Sequence, residues 1–255
     1  MPIDSRRIGL QLWTLRRHLQ SRDEIAEALT RVRELGYEQV ELGGLAPLPA
    51  SELRQLADAA GLRIVSSHES AREIVEEPLK IAERLGELGC RFVAYPFPHV
   101  PLTTLDQVFA LADALSRAGE VLRSHGKLLT YHNHAVEFRR LGGKAILDWL
   151  YERSDPFMVH SELDTYYVQR GGGDPAGYCA RLSGRLPLLH LQDFAIDEQG
   201  QPVTAPLGRG NLNLWKILLE AEAAACEHYI IAQDPAPGVD AFAEVALSLR
   251  YLQSS

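Results

Sequence analysis

The feature that most constrains the fold is a repeated boundary at which a predicted helix ends on a glycine and an apolar strand follows within two residues. This boundary occurs four times, at Gly36, Gly61, Gly89 and Gly126. A glycine just past a helix end is typical because it adopts the left-handed conformation without a steric cost. The strands predicted after these glycines are 37–42, 63–67, 91–95 and 128–132. The pattern predicts successive βα units joined by short turns, and therefore a parallel sheet.

The remaining segments continue the same alternation. A strand is predicted at 8–13, and Ser21 with Glu24 three residues later forms a capping-box pattern at the start of the first helix. In the second half we predict strands 158–163, 187–192 and 229–233 and helices 144–152, 175–182, 213–222 and 239–252. Eight strands and eight helices can close into a (β/α)8 barrel or form an open doubly wound sheet. The length of 255 residues is typical of the barrel, and no Gly-x-Gly-x-x-Gly follows the first strand. We predict an α/β protein with a single (β/α)8 TIM barrel domain over residues 1–255.

Charge and cysteine usage limit the classes of partner. The net charge of −8 argues against binding to nucleic acid or to an anionic membrane, because both require a basic surface. No apolar run is long enough for a membrane span, and the N-terminal residues lack an apolar signal core. The three cysteines form no CxxC pair, which predicts reduced, buried thiols in a cytoplasmic protein. We expect a small-molecule partner; the sequence leaves homo-oligomerisation open.

Polar side chains collect at the carboxyl ends of the predicted strands, which is where barrel enzymes carry their active sites. The densest group is Tyr131–Glu137, which contains two histidines, an asparagine and a glutamate. The others are Gln11, Trp13, Glu41, His68, Glu162, Asp164, His190, Gln192, Asp193, Gln233 and Asp234. A single histidine at a strand end is more often structural than functional, but polar residues at nearly every strand end predict a functional mouth.

A divalent metal ion is the cofactor that this pattern indicates. Carboxylates from two successive strand ends and an imidazole from the next suit Mn²⁺, Mg²⁺, Co²⁺ or Zn²⁺. Such an ion polarises a carbonyl or hydroxyl oxygen of the substrate and acidifies the neighbouring C–H bond. The chemistry that follows is isomerisation of an aldose or ketose, epimerisation next to a carbonyl, or dehydration of a keto-polyol.

Ordered motifs along nearly the whole chain resemble the xylose isomerase-like TIM barrels. Within that family, the sugar phosphate isomerase/epimerase group and its inosose dehydratase-like branch are the most similar. The motifs are Gly9–Arg16, Val40–Leu42, Tyr131–His134 with Glu137 and Phe138, Glu162–Asp164, Gly171–Pro175, His190–Asp193, Leu207–Gly210 and Tyr229–Asp234.

The resemblance implies a particular metal site. Relatives hold one divalent ion with a Glu, an Asp, a His and a second Glu from strands five to eight. In this sequence the first three positions are Glu137, Asp164 and His190, whereas the fourth is Ala232. Three protein ligands hold an ion less tightly than four. The loss of the second glutamate also disfavours a two-base epimerisation, leaving a one-base isomerisation or a β-elimination.

Further roles follow from the same resemblance and from the strand-end positions. Catalytic residues are predicted to be Glu137, His132 and His68. Substrate-binding residues are predicted to be Gln11, Trp13, Glu41, Asn133, His134, Gln192 and Arg209. Gln192 stands where relatives often have a lysine, and Arg209 stands where they often have a glutamate.

Three alternatives remain beside a metal-dependent sugar isomerase/epimerase-like or keto-polyol dehydratase-like enzyme. The departures at Ala232, Gln192 and Arg209 are also consistent with a descendant that binds a sugar-like ligand without the family's chemistry. An endonuclease that repairs DNA requires a basic surface, which the charge of −8 disfavours. A Schiff-base aldolase requires a lysine at a strand's carboxyl end, and none of the four lysines is predicted there.

Overall fold

Eight parallel strands form a closed barrel in the computed structural model, which describes residues 3–236 and 238–254. The strands are β1 Ile8–Gln11, β2 Gln39–Leu42, β3 Arg63–His68, β4 Phe92–Tyr95, β5 Leu128–His132, β6 Val159–Asp164, β7 Leu188–Leu191 and β8 His228–Ile231. Each strand pairs with the next one along the chain, and β8 pairs with β1 so that Ile8 lies opposite Tyr229. The predicted (β/α)8 TIM barrel is therefore confirmed, and the open sheet is excluded.

Helices surround this barrel. They are Arg22–Glu34, Ala50–Ala59, Ala71–Glu76, Pro78–Leu88, Leu105–Ser124, Ile146–Arg153, Thr165–Arg170, Pro175–Arg181, Leu214–Ala223 and Ala241–Ser254. The helices Ala71–Glu76 and Thr165–Arg170 were not predicted, because six residues are too few for a helical period to stand out. Two antiparallel hairpins also lie in loops, one joining Arg140–Leu141 to Lys144–Ala145 and the other joining Asp193–Ile196 to Pro202–Ala205.

The helix-ending glycines adopt the predicted conformation. Gly36, Gly61, Gly89 and Gly126 have φ angles of 105°, 72°, 71° and 71°. At the other end of the first helix, the Ser21 side chain accepts a hydrogen bond from the backbone N–H of Glu24, as the capping pattern predicts. The second bond of a capping box, from the backbone N–H of Ser21 to the Glu24 carboxylate, is replaced by one from the backbone N–H of Gln20.

The core lies between the barrel wall and the inner faces of the helices. In the first helix, Ile25, Leu29 and Val32 are buried at the spacing of one helical face. All three cysteines are buried free thiols. Within the described residues, no helix has the length and apolar character needed to cross a membrane.

The first strand is shorter than predicted, and this places an aromatic side chain at the mouth. The strand ends at Gln11, whose side-chain oxygen accepts the N–H of Trp13 and starts the 3-10 helix Leu12–His18. Trp13 consequently lies outside the strand, and 52% of its surface is exposed.

Candidate functional site

Five ionisable side chains from five strands converge at the carboxyl end of the barrel. These residues, here called the mouth cluster, are Glu41, His68, His132, Glu162 and His190. The Nε2 atom of His190 lies 2.6 Å from Oε1 of Glu41 and 3.0 Å from Oε1 of Glu162. The Nε2 atom of His68 lies 2.7 Å from the same Glu162 oxygen and 3.2 Å from the same Glu41 oxygen. The rings of His68 and His190 stack with their centroids 5.6 Å apart.

The mouth cluster places two carboxylates where no water reaches them. The Glu41 and Glu162 side chains are 0% exposed. Burial alone raises the pKa of a carboxyl group, but His190 and His68 hold the pKa of Glu162 well below its ordinary value. The pKa of Glu41 is also lowered despite its burial and the nearby charge of Glu162. The negative charge of both carboxylates is thus retained by paired imidazoles.

The three imidazoles differ in charge. Burial lowers the pKa of His68 and His190, but the two carboxylates outweigh this effect, raising the pKa of His68 to about 9 and that of His190 well above 6.5. Burial dominates at His132 and lowers its pKa to about 4. His132 is therefore neutral at pH 7, while the other two rings compensate the carboxylates.

Four members of the mouth cluster have the geometry of a metal-binding group. One ligand atom each from His68, His132, Glu162 and His190 lies within 4.8 Å of all the others. The Nδ1 atom of His132 is buried 3.2 Å from Oε1 of Glu162 and has no aligned hydrogen-bond partner, so its lone pair is available to a metal ion. Three imidazoles with a carboxylate suit Mn²⁺, Fe²⁺, Co²⁺ or Zn²⁺ better than Mg²⁺, which prefers oxygen ligands. The residues present therefore fit a divalent transition metal.

The predicted ligand set of Glu137, Asp164 and His190 differs from this metal-binding group and stays a prediction. Only His190 belongs to the mouth cluster. Asp164 lies at its edge, with Oδ2 3.9 Å from Nδ1 of His190 and 2.5 Å from Nε2 of Gln192. Its other oxygen accepts the N–H of Tyr167 and caps the helix Thr165–Arg170. These hydrogen bonds use one lone pair of each oxygen, and a metal role for Asp164 stays a prediction.

Glu137 is held elsewhere by the 3-10 helix Ala135–Phe138. One carboxylate oxygen accepts the Tyr131 hydroxyl at 2.9 Å, and the other accepts the backbone N–H of His134 at 2.9 Å. Burial raises the pKa of Glu137 to about 7, although both hydrogen bonds lower it. Each oxygen keeps a second lone pair beside its hydrogen bond, and metal binding or base catalysis by Glu137 stays a prediction.

A cavity of about 380 Å³ opens at the mouth cluster. Predicted site residues among its lining are Gln11, Trp13, His68, His132, His134, His190 and Gln192. Glu41 belongs to the mouth cluster but does not line the cavity. Asn133 is buried, and its side-chain oxygen accepts the backbone N–H of Asp164. Arg209 is exposed and does not line the cavity. Ala232 does line it, so the position of the missing fourth ligand faces the mouth.

Glu162 was not predicted as a metal ligand, and Phe97 was not predicted to line the cavity. Glu162 had a usable signal, because strand alternation puts it on the same face as Asp164, and in the barrel it pairs in register with His132. Phe97 follows β4 in a segment with no distinguishing motif.

The cavity walls combine exposed aromatic rings with side-chain amides. Trp13 and Phe97 are each 52% exposed, and the Tyr167 ring lies 4.6 Å from the His134 ring. The guanidinium of Arg16 lies over Trp13 and also contacts Asp234 at 2.6 Å. Gln11, Gln192 and Gln233 supply amide groups. Such walls suit a small ring with an apolar face and several hydroxyl groups.

Comparisons with known proteins support the fold and indicate the kind of protein. No protein-family model matches the chain. An inosose dehydratase of Geobacillus kaustophilus is 28% identical over 194 residues, covering 67% of this chain and 62% of that protein. The rhizopine catabolism protein MocC of Rhizobium meliloti is 24% identical over 222 residues, covering 77% of this chain and 64% of that protein. The chain thus matches less than two thirds of the length of these curated relatives.

A solved structure of a sugar phosphate isomerase/epimerase from Parabacteroides distasonis superposes with a TM-score of 0.83 at 25% identity. The superposition covers 97% of this chain and 93% of that one. Together with the closed barrel, these similarities confirm the predicted resemblance to the xylose isomerase-like TIM barrels.

Proposed function

We propose that this protein is a metal-dependent enzyme that removes water from a keto-inositol or keto-sugar by proton abstraction next to the carbonyl. The observation that carries the proposal is the convergence of His68, His132, Glu162 and His190 at one end of an open cavity. The similarity to inosose dehydratases over 67% of the chain supports dehydration over the other reactions of this chemistry. Isomerisation of a ketose uses the same first step and is the second candidate.

In this proposal the most buried donors, His132, Glu162 and His190, hold the cation. Their side chains are 7%, 0% and 1% exposed, and three such donors leave coordination positions for substrate. A bound cation would polarise the substrate carbonyl and so acidify the adjacent C–H bond. Asn133 and Thr130 stabilise the strands that carry these ligands. The Asn133 side chain accepts a backbone N–H of β6, and the Thr130 hydroxyl lies 3.5 Å from Oε2 of Glu162.

Proton transfer is assigned to the pair His68 and Glu41. His68 lines the cavity and is the most exposed imidazole of the cluster, at 16%. Its Nε2 lies 3.2 Å from Oε1 of Glu41, while Oε2 of Glu41 is buried without a hydrogen-bond partner. A cation on Glu162 would offset part of the negative charge that raises the pKa of His68, so that His68 would then be neutral. In a dehydration His68, held by Glu41, accepts the proton as the C–H bond breaks and returns it to the departing hydroxyl, so that water leaves as the C=C bond forms. One acid–base group suffices for this elimination.

The substrate is expected to be uncharged. No lysine or arginine is found among the described residues that line the cavity, and its one exposed carboxylate, Asp234, is paired with Arg16. A phosphate ester would therefore find no lysine or arginine in this lining to pair with. A neutral polyol can instead stack on Trp13 and bond to the side-chain amides.

Metal titration with matched variants tests the ligand assignment. Glu162→Gln and His190→Ala should weaken binding of Co²⁺ or Mn²⁺ at least tenfold, whereas Glu137→Gln should leave it nearly unchanged. The opposite ranking of Glu162→Gln and Glu137→Gln would favour the ligand set implied by the resemblance.

Turnover is measured on a panel of inososes and ketoses in D₂O. Nuclear magnetic resonance reports both elimination product and exchange of the hydrogen next to the carbonyl. His68→Gln should abolish both signals while metal remains bound. Metal binding with neither product nor exchange across the panel would contradict the proposal and favour a protein that binds a sugar-like ligand without the chemistry.

A further inference from the structure

A second pocket lies at the opposite end of the barrel, where the strands begin. Its volume is about 290 Å³, and we call it the base pocket. Arg63 opens β3, His228 opens β8, and Arg91 immediately precedes β4, so three strand starts contribute to it. The lining residues are Arg54, Asp58, Arg63, Ile64, Val65, Leu88, Gly89, Arg91, Phe92 and His228. None of them belongs to the mouth cluster or to its cavity.

The base pocket is cationic in a chain whose net charge is −8. Three guanidinium groups line it, but only one carboxylate does, that of Asp58. Arg54 pairs with Asp58 at 2.7 Å, and Arg91 pairs with Glu227 at 2.7 Å. Within residues 3–236 and 238–254, Arg63 makes no ion pair, and its Nη2 donates to the backbone oxygen of Arg6 at 3.2 Å. At least one positive charge in the pocket therefore lacks a counter-charge.

His228 adds an imidazole to the wall of the base pocket. Its Nδ1 atom is buried and has no hydrogen-bond partner in the described structure. Its ring packs edge-on against Phe92, with the centroids 6.0 Å apart. Burial, followed by the charges of Arg63, Arg7 and Arg91, lowers the pKa of His228 to about 4. A neutral imidazole beside several guanidinium groups can donate one N–H to an oxyanion bound among them.

We propose that the base pocket binds a small phosphate-bearing anion. Guanidinium groups match the oxygens of a phosphate in paired hydrogen bonds, and Arg63 has donors free to make them. A phosphate oxygen can also accept an N–H from His228. Phe92 and Ile64 supply an apolar wall for whatever the phosphate group is attached to. This site is independent of the function proposed for the mouth, where the lining lacks such cations.

Calorimetric titration with inorganic pyrophosphate tests the proposal on chelator-treated protein, which prevents competition from a metal ion. One equivalent should bind at about 0.1 M salt, and Arg63→Ala should weaken binding at least tenfold. The control is Arg22→Ala, which removes an exposed arginine from the helix end nearest the mouth and should change nothing. Absence of binding would overturn the proposal. Equal losses of affinity in Arg63→Ala and Arg22→Ala would also overturn it, because they would indicate only a general electrostatic attraction.

The titration of His228 supplies a second readout that does not depend on the stability of a variant. With pyrophosphate bound, the nuclear magnetic resonance signal of His228 should titrate at least one pH unit higher than without it, because an anion would offset the nearby guanidinium charges. His190→Ala should preserve this shift, since it alters only the mouth. Pyrophosphate binding that leaves His228 unshifted would place the anion elsewhere and refute the base-pocket assignment.

Discussion

At the scale of single residues, the carboxylates of the mouth differ in what surrounds them. Glu162 is surrounded by imidazoles and keeps its charge, whereas Glu137 is buried with a hydroxyl and one backbone N–H. These environments move their pKa values in opposite directions, to well below the ordinary value for Glu162 and to about 7 for Glu137. The same side-chain type is therefore charged at pH 7 in one position and about half protonated in the other.

Glu137 is expected to make stability fall as the pH rises. The folded protein holds its proton up to about pH 7, whereas the unfolded chain releases it near 4.5, so the effect is absent below pH 4.5 and complete above pH 7. The raised pKa corresponds to a loss of about 3 kcal/mol across that window. Urea unfolding at pH 4.5 and pH 8 should therefore show a smaller pH effect in Glu137→Gln than in the parent protein. An identical pH effect in both would mean that Glu137 is already charged when folded.

Ala232 is the position where a carboxylate is expected to restore metal affinity. It lines the cavity, and the resemblance to metal-binding relatives places a glutamate there. Ala232→Glu should tighten Mn²⁺ binding by one to two orders of magnitude, or roughly 1.4–2.8 kcal/mol. Ala232→Gln is the matched control, because it adds the same bulk without the charge. Equal affinities in the two variants and the parent would show that this side chain does not reach the ion.

At the scale of helices and strands, two helical glycines should respond oppositely to the same substitution. A Cβ on Gly119, in the helix Leu105–Ser124, would lie 2.2 Å from the backbone oxygen of Met158, which cannot move aside cheaply. A Cβ on Gly86, in the helix Pro78–Leu88, would meet nothing within 4 Å. Gly86→Ala should stabilise the protein by about 0.5–1 kcal/mol, as the higher helix propensity of alanine predicts. Gly119→Ala should instead destabilise it by about 1–3 kcal/mol, as overpacking does.

Chemical denaturation of both variants measures the difference. If both alanines stabilise, helix Leu105–Ser124 must be able to move away from the start of β6, and the close approach at Gly119 is not a constraint.

The elements that the sequence predicted well are those with a strong local signal. Glycine-ended helices and apolar strands of four to six residues are recognisable from their own residue pattern and from the glycines that precede the strands. Each end of all eight barrel strands was therefore predicted to within two residues. The ligand set was harder, because it depends on where each side chain points after the strand has ended. Glu137 is directed towards Tyr131 by the short helix Ala135–Phe138, which has no distinguishing pattern in sequence. Glu162 lies inside β6, where its pairing with His132 becomes visible only once the barrel is closed.

At the scale of the whole molecule, the mouth cluster joins five strands of the barrel, so a ligand bound to it would stabilise the folded barrel. Its members come from β2, β3, β5, β6 and β7, and they include two fully buried carboxylates. A cation bound to the folded state alone adds RT ln(1 + [L]/Kd), which is about 2.7 kcal/mol at a hundredfold excess over Kd.

Thermal unfolding should therefore depend on metal concentration. Co²⁺ or Mn²⁺ should raise the Tm of the chelator-treated protein, and the rise should continue as the concentration exceeds Kd. In Glu162→Gln the Tm should hardly respond. A metal-induced rise of equal size in both proteins would assign the stabilising ion to some other part of the molecule.

Closure of the barrel between its first and last strands also sets an order of events during synthesis. Tyr229 leaves the ribosome 221 residues after its partner Ile8, which at 5–20 residues per second means a delay of roughly 11–44 s. Throughout that time one edge of β1 is a row of unpaired peptide groups, and such an edge can pair with another nascent chain. Gly9 of β1 lies against the Ile230 side chain, whose Cδ1 would be 2.7 Å from an added Cβ, so β8 packs closely on β1 once it arrives. Until then the unpaired edge of β1 favours association with other chains, and slower synthesis of the last residues should increase the aggregated fraction.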